Sequence, residues 1–355
     1  MKSAILISPK VMEINQKAHV PFPGPGEVVV QVKAALTCGT DIKAYLRGHP
    51  KIPLPSPLGH EFSGDIYRIG AEVEGFAEGD AVMAVHSAPC GECTFCRMGR
   101  ENLCSTIMEE KVLGAYAEFI KLPERIVKVN MFKKPEHLPY TEAAMLEPLS
   151  CVVHGIRSTG FGAMEAEKQK NVLILGPGPI GLMYLMLYKI NGAKVMVADI
   201  RAGSRAGARR ADRLETAKDL GADAVLEGDL QDIAWKVTEE TDGLGADLVV
   251  EATGQKDIWE GSPSLARRGG TVLLFGGCPP GTRACFDAGR IHYDEIKLVG
   301  AFHFTPSDVR EAYDLLASGR LNVSRLISGR YHLDNLQTAF DELIGGRGIK
   351  FAIIP

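Results

Sequence analysis

The stretch "NVLILGPGPIGLMYLMLYKINGAKVMVADI", Asn171 to Ile200, restricts the fold more than any other part of the chain. An apolar run of strand length meets a glycine-rich turn. A segment of helical length follows, and then a second apolar strand. "GPGPIG", Gly176 to Gly181, is a G-x-G-x-x-G in the context the pattern requires, after a strand and opening a helix. Gly176 permits the tight turn, Gly178 lets backbone approach a pyrophosphate, and Gly181 lets helix and strand pack closely. Pro179 and Ile180 open the helix, whose free N–H groups and dipole favour a phosphate. Asp199 ends the next strand, 23 residues after Gly176, where an acid can hold the adenine ribose hydroxyls. A glycine turn in a nucleotide-free α/β domain is the weaker reading, because strand and acid are both in place.

Asp199 favours NAD, since a carboxylate repels a 2′-phosphate. "RAGSRAGARR" works the other way: it puts Arg201, Arg205, Arg209 and Arg210 just after the acid, and arginine is the usual partner of a 2′-phosphate. A solvated basic loop is the preferred reading of this run. The expected cofactor-binding set is Gly176, Gly178, Pro179, Ile180, Gly181, Asp199 and Arg201. NAD is the expected cofactor and NADP the alternative.

The 355 residues suit two domains better than one. Residues 1–150 carry short Val-rich runs between Gly and Pro, such as "GEVVVQVKAAL" and "GDAVMAV", and read as a β-rich domain. Residues 151–290 alternate apolar strands with helices, which means a parallel sheet covered on both faces. In residues 291–355, "TPSDVREAYDLLASGR" and "LDNLQTAFDELIGG" read as helices, and this tail is assigned back to the first domain. A net charge of −4 gives no electrostatic footprint for nucleic acid or anionic lipid. The start "MKSAILISPK" shows no secretory signal, and no apolar run is long enough to span a bilayer. The expectation is a cytoplasmic protein with neither nucleic-acid nor membrane partners, in which clustered cysteines mean metal rather than disulfides.

Four of the eight cysteines fall in "CGECTFCRMGRENLC". Cys90, Cys93, Cys96 and Cys104, in the lobe 88–105, have the spacing C-x2-C-x2-C-x7-C. Four thiolates close a tetrahedral zinc shell with no open position. A ferredoxin run would continue with x3-C-P, whereas here the fourth cysteine comes later and Ser105 follows it. Structural zinc is therefore expected.

Other ligand types are scattered: Cys38 in "LTCGTD", His60 and Glu61 in "LGHEFSG", and Glu147 in "MLEPLSCVVHG". One thiolate, one imidazole and carboxylates make a mixed zinc shell with room for water or substrate. Spacing alone does not unite residues so far apart. Cys38 reads equally as a small buried hydrophobe, His60-Glu61 as a polar strand end, and Glu147 as a helix end before Pro148. Cys151 and His154 read as residues on a helix face.

"CGTD", "GHEFSG", the four-cysteine lobe, "EPLSCVVHG", "GPGPIG" and "LDNLQTAFDELIGGRGIKFAI" occur in an order that resembles the zinc-dependent medium-chain alcohol dehydrogenases, near their sorbitol and threonine dehydrogenase branch. The resemblance covers essentially the whole chain. It implies an α/β protein with a GroES-like catalytic domain and a Rossmann doubly wound domain. It implies two zincs per chain, one held by the four-cysteine lobe and one catalytic, the latter on Cys38, His60 and one or both of Glu61 and Glu147. It further implies that Thr40 passes the proton outward, that Asp41 supports the loop or the metal ligands, and that the chain forms a homo-oligomer, a tetramer or a dimer. The implied reaction takes hydride from a secondary alcohol of a polyol, a sugar alcohol or a similar polar substrate to the nicotinamide, with zinc as Lewis acid. A threonine- or amino-alcohol-type dehydrogenase is the alternative. A non-catalytic nucleotide-binding protein on the same scaffold is the distant one. Two departures stand out: Lys43 replaces the His common in that branch five residues after the cysteine, and the Arg-rich run delays Arg213-Leu214.

Overall fold

The computed structural model describes every residue except 162–169 and 201–210. Arg201 and the Arg-rich run lie outside the described residues. The chain divides into two compact units, Met1–Val153 with His303–Pro355, and His154–Phe302. No helix among the described residues is long and apolar enough to cross a membrane.

In the first unit the strand Val28–Leu36 is the hub of a seven-stranded sheet. It pairs antiparallel with Phe62–Ile69, with Phe119–Leu122 and with the last strand of the chain, Lys350–Ile354. Its sequence VVVQVKAAL is buried at nearly every position, as a strand covered on both faces requires. The core gathers Leu6, Val30, Phe62, Tyr116, Ile120, Leu336 and Phe340, so the C-terminal helix Leu336–Ile344 packs into the N-terminal sheet. That packing and the strand Lys350–Ile354 return the tail to the first unit. The tail's first helix, Pro306–Ala317, starts at the Thr305 cap, where Thr305 and Asp308 form a capping box.

The second unit is a six-stranded sheet, parallel throughout. Across it run Ala224–Gly228, Lys194–Ile200, Asn171–Leu175, Ala246–Glu251, Ala266–Leu274 and Lys297–Gly300. Read in chain order this is 3-2-1-4-5-6, the doubly wound order. Its direction reverses between the strands Asn171–Leu175 and Ala246–Glu251. Leu173, Leu175, Val249 and Val272 are fully buried beneath the flanking helices.

The sheet extends past the expected boundary at 290. Lys297–Gly300 pairs in register with Thr271–Leu274 and closes the edge, so the units divide at 302 rather than 290. The motif "KLVG" is short and only half-buried, and so lacks the long apolar run that marks the other strands. At the other boundary the helix Leu146–Thr159 runs across residue 150, with the division after Val153.

Candidate active site

The four-cysteine lobe is local and mostly exposed. The short helix Thr94–Arg97 and the turn Glu101–Leu103 bring Cys90, Cys93, Cys96 and Cys104 together, with all four sulfurs within 4.8 Å of one another. Cys93 Sγ lies 3.5 Å from Cys96 Sγ, and Cys90 Sγ 3.9 Å from Cys96 Sγ. A disulfide needs about 2.0 Å. A tetrahedral shell with Zn–S bonds of about 2.3 Å sets sulfurs roughly 3.8 Å apart, which fits these spacings. Backbone amides prepare the thiolates: Cys90 N–H donates to Cys104 Sγ and Cys93 N–H to Cys90 Sγ, each at 3.3 Å. Bonds from the Ser105 and Cys96 backbone pull the Cys93 thiol down to about 5. Burial, and then its thiol neighbours, push Cys96 up to about 12. Against its burial, bonds from the Cys90 and Thr106 backbone lower Cys104 as well. The lobe thus favours thiolates at Cys93 and Cys104 and resists one at Cys96 unless a cation joins them.

The second cluster is assembled from distant parts of the first unit. Cys38 ends the loop after the hub strand and caps the helix Gly39–Arg47, its sulfur accepting from Thr40 N–H at 3.5 Å. His60 and Glu61 lie just before the strand Phe62–Ile69. Ligand atoms of Cys38, His60 and Glu61 lie within 4.8 Å of one another. Glu61 Oε1 is buried with no hydrogen-bond partner. A carboxylate oxygen left so in the interior is costly unless a cation completes its shell. The thiol–imidazole–carboxylate set therefore fits zinc with one position open.

Each member of this cluster is held from behind. His60 Nδ1 lies 3.3 Å from Asp41 Oδ1, and the Tyr116 hydroxyl donates to Asp41 Oδ2 at 2.8 Å. Asp41 is wholly buried, so the expectation that it supports the ligands has a geometric basis. Burial disfavours the His60 imidazolium, yet Asp41 and Cys38 together raise its pKa well above the ordinary value. With Nδ1 turned to the carboxylate, Nε2 is the nitrogen left for a metal. Glu61 pairs with Lys350, whose ammonium also donates to Thr37 O at 2.7 Å. Burial lifts the Glu61 carboxyl to about 7 against the pull of Lys350.

Glu147 opens the helix Leu146–Thr159 at the edge of the cluster and is turned to another partner. Its Oε1 lies 3.3 Å from His86 Nδ1. Burial works to raise Glu147, but His86 and then His60 and His303 outweigh it and hold the carboxyl down to about 2. The His86 ring packs edge-on against both His60 and His303, at centroid distances of 5.1 and 5.3 Å. Ser87 Oγ lies 2.6 Å from His303 Nε2. Cys151, one turn after Glu147, lies 3.8 Å from its Oε1, and burial raises its thiol pKa well above the ordinary value. Thr40 is half-buried one residue past Gly39, and Lys43 sits further along the same helix.

His86 and His303 carry no motif, and Lys350, inside the terminal "LDNLQTAFDELIGGRGIKFAI", is not marked there as a partner of Glu61. The one available signal is the position of His86 in "AVHSAPC", just ahead of the lobe.

In the second unit, Gly176 has φ +105°, open only to glycine without strain. A Cβ on Gly181 would stand 2.1 Å from Gly176 O, so helix and strand approach too closely for any side chain. A Cβ on Gly178, by contrast, meets nothing within 4 Å. This leaves open space over the N-terminus of the helix Pro179–Ile190, as pyrophosphate binding requires. Ile180 lies in that first turn. Asp199 lies in the last turn of register of Lys194–Ile200, opposite Glu227.

The family model of the alcohol dehydrogenase GroES-like domain matches residues 24–133, and that of the zinc-binding dehydrogenase matches residues 179–318. The chain is 33% identical over 337 residues to the D-arabitol-phosphate dehydrogenase of Enterococcus avium, covering 94% of this chain and 91% of that one. It is 31% identical over 344 residues to a sorbitol dehydrogenase of Halalkalibacterium halodurans, covering 96% and 95%. A structure from Sinorhizobium meliloti, assigned as a zinc-binding dehydrogenase and bound to NADP, superimposes with a TM-score of 0.85 at 29% identity, covering 100% and 99%. With both domain models matched and these relatives spanning its length, the chain belongs to the zinc-dependent medium-chain alcohol dehydrogenases and is an oxidoreductase of that family.

Proposed function

We propose that the protein oxidises a secondary alcohol of a polyol to the ketone with NAD, using zinc on Cys38, His60 and Glu61 and keeping a second, structural zinc on Cys90, Cys93, Cys96 and Cys104. The observation that carries the reading is the buried Glu61 Oε1, left without a partner between His60 and Cys38. The two relatives described above are named for polyols, one free and one phosphorylated. Zinc, when bound, supplies a Lewis acid that lowers the pKa of a hydroxyl, and the nicotinamide supplies the hydride acceptor.

This chain's residues do the rest. Asp41 fixes the His60 tautomer with Nε2 forward. Lys350 neutralises part of the Glu61 charge and pins one of its oxygens. Glu147, kept ionised beside His86, offers a carboxylate oxygen to the substrate hydroxyl or to a water. The Thr40 hydroxyl takes the alcohol proton and passes it outward, with Lys43 replacing the His of that branch as its next neighbour along the helix. Gly176, Gly178, Pro179, Ile180 and Gly181 seat the pyrophosphate, and Asp199 the adenosine ribose. We further infer that Asp199 selects NAD over NADP, and that the chain assembles as a dimer or tetramer, which sedimentation would measure.

Zinc per chain by elemental analysis, before and after mild chelation, tests this reading when polyol oxidation is assayed on the same samples. Loss of one zinc together with activity is expected. An active enzyme retaining only the lobe zinc would refute the catalytic assignment.

A further inference from the structure

Two buried glutamates lie near Cys38 and His60, and they are held differently. Glu61 is gathered with Cys38 and His60 within 4.8 Å, its Oε1 without a hydrogen-bond partner. Glu147 falls outside that group of ligand atoms. It is nevertheless close: the ring of His86 lies 3.3 Å from Glu147 Oε1 and packs edge-on against His60 at 5.1 Å. A glutamate side chain turns about three bonds, and a carboxylate so near is drawn toward a bound cation. A fourth protein ligand would close the shell, which is the arrangement of a structural site and not of a catalytic one. Glu147 has to be held back for the open position to survive.

The restraint is visible in the packing. Glu147 Oε1 accepts from the Cys151 thiol at 3.8 Å and faces His86 Nδ1. That nitrogen is buried, and no atom meets it in good hydrogen-bond geometry; Glu147 Oε1 is the acceptor it lies against, so a small turn of either side chain completes the bond. The His86 ring is boxed by three others. Besides His60 it meets His303 edge-on at 5.3 Å and Phe304 edge-on at 6.0 Å. His303 is fixed in turn: its Nε2 lies 2.6 Å from Ser87 Oγ, and its ring stacks on Phe304 at 4.0 Å. Ser87 O accepts from the buried Asn130 Nδ2 at 2.8 Å. His303 stands at φ +64°, a conformation uncommon for a residue with a side chain and kept only where the surroundings over-determine it.

We propose that His86, backed by His303, is a positioning residue that holds the Glu147 carboxylate off the metal and so keeps the fourth position of the Cys38–His60–Glu61 site open. The proposal rests on the metal assignment made above and adds what controls its coordination. It also separates the two glutamates by cause: Glu61 keeps an oxygen free for the metal, while Glu147 has an oxygen engaged by His86 and Cys151.

The test reads the metal site directly. Cobalt(II) is exchanged into the cluster after mild chelation, with zinc kept in the lobe, and its visible bands are titrated with imidazole as an added ligand. In the parent the bands shift, because a position is open. His86→Phe keeps a ring in the same packing and removes the nitrogen. Glu147 should then close the shell: the apparent Kd for imidazole rises about tenfold or more, and a chelator removes cobalt about tenfold more slowly. His86→Asn, whose side-chain amide supplies a donor near the place of Nδ1, restores the parent behaviour. Glu147→Ala added to His86→Phe reopens the site. His303→Asn tolerates the positive φ but lacks the ring, and moves both readings the same way by a smaller amount. Loss of a merely supporting ring gives the opposite sign, with metal bound roughly 10–100-fold more weakly and imidazole still taken up. That result in folded His86→Phe would overturn the proposal, as would closure that persists without Glu147. If His86→Phe does not fold, His303→Asn decides alone, and imidazole binding unchanged there would end the proposal. None of these readings uses a substrate. A parent that takes cobalt at the cluster but oxidises no polyol fails the proposed activity and leaves this inference to the spectra, whereas a parent whose cluster takes no cobalt ends both.

Discussion

The four-cysteine lobe and the Cys38–His60–Glu61 cluster share one unit of the chain and fit the same metal, yet they are built in opposite ways. The lobe takes its four ligands from fifteen consecutive residues, leaves most of them partly exposed, and supports its sulfurs with backbone amides. The cluster takes its ligands from separate segments and surrounds them with buried ionisable groups: Asp41, Glu147, His86 and Lys350. Taking so many charges out of water is expensive, and an apolar core of the same volume would be at least as stable. A purely structural metal needs only the first arrangement. The second makes physical sense where an open position must be kept, ligand tautomers fixed and a local charge balance set for a reaction.

The largest expected effect separates the two regions directly. His60→Ala removes a ligand from the cluster and leaves the lobe intact. Polyol oxidation should fall by on the order of 10³-fold or more, because the polarising metal is lost. Zinc content should drop by about one equivalent while thermal stability changes little by comparison. If activity survives, the contrast between the regions has no functional meaning.

Lys350→Met asks what holds the cluster. Removing one partner of a buried pair leaves Glu61 charged without compensation and should destabilise by about 3–5 kcal/mol in urea unfolding. The double variant Lys350→Met with Glu61→Gln should recover much of that stability and none of the catalytic zinc. A single variant as stable as the parent would show that Glu61 is not held as a carboxylate by Lys350.

The lobe should fail differently. Cys104→Ser opens its shell, and since a closed zinc site contributes folding energy, the loss is in stability. A deficit of ~3 kcal/mol corresponds to roughly 6–12 °C in Tm for a unit of this size. Differential scanning calorimetry should find this, with turnover per folded molecule reduced far less than by His60→Ala. Equal losses of turnover would join the two regions into one functional unit.

The contrast also explains what a reader of the sequence can see. The lobe and "GPGPIG" are local: their ligands and glycines lie within one or two turns of chain, so spacing reports geometry. Cys38, His60 and Glu61 are legible only through resemblance, because no spacing rule links separate loops. Lys350 lies inside the quoted terminal motif, but nothing there points to Glu61. It reaches Glu61 because the last strand pairs beside Val28–Leu36, a relation across 289 residues that is set by sheet register. His86 meets Glu147 for a similar reason, through the packing of a helix against the end of a strand. The boundary expected at 290 failed on a four-residue strand with exposed ends and two half-buried residues, where neither length nor hydropathy announces the sheet.

The smallest predicted effect concerns pH and isolates Glu147. His86, His60 and His303 hold its carboxyl at about 2 in the folded protein, against 4.5 for the free side chain. The unfolded chain therefore binds this proton more tightly, and acid favours unfolding through it. The contribution is full above pH 4.5 and fades as pH falls toward 2. Glu147→Gln cannot titrate, so the stability difference between parent and variant should shrink as pH is lowered from 6 to 4, by somewhat under ~1 kcal/mol. Proton competition for the lobe thiolates is common to both proteins and cancels in the difference. A difference that stays constant with pH would mean that His86 does not hold Glu147 ionised. The cluster would then owe its charge balance to Asp41 and Lys350 alone, and Glu147 could not be the carboxylate that meets the substrate hydroxyl.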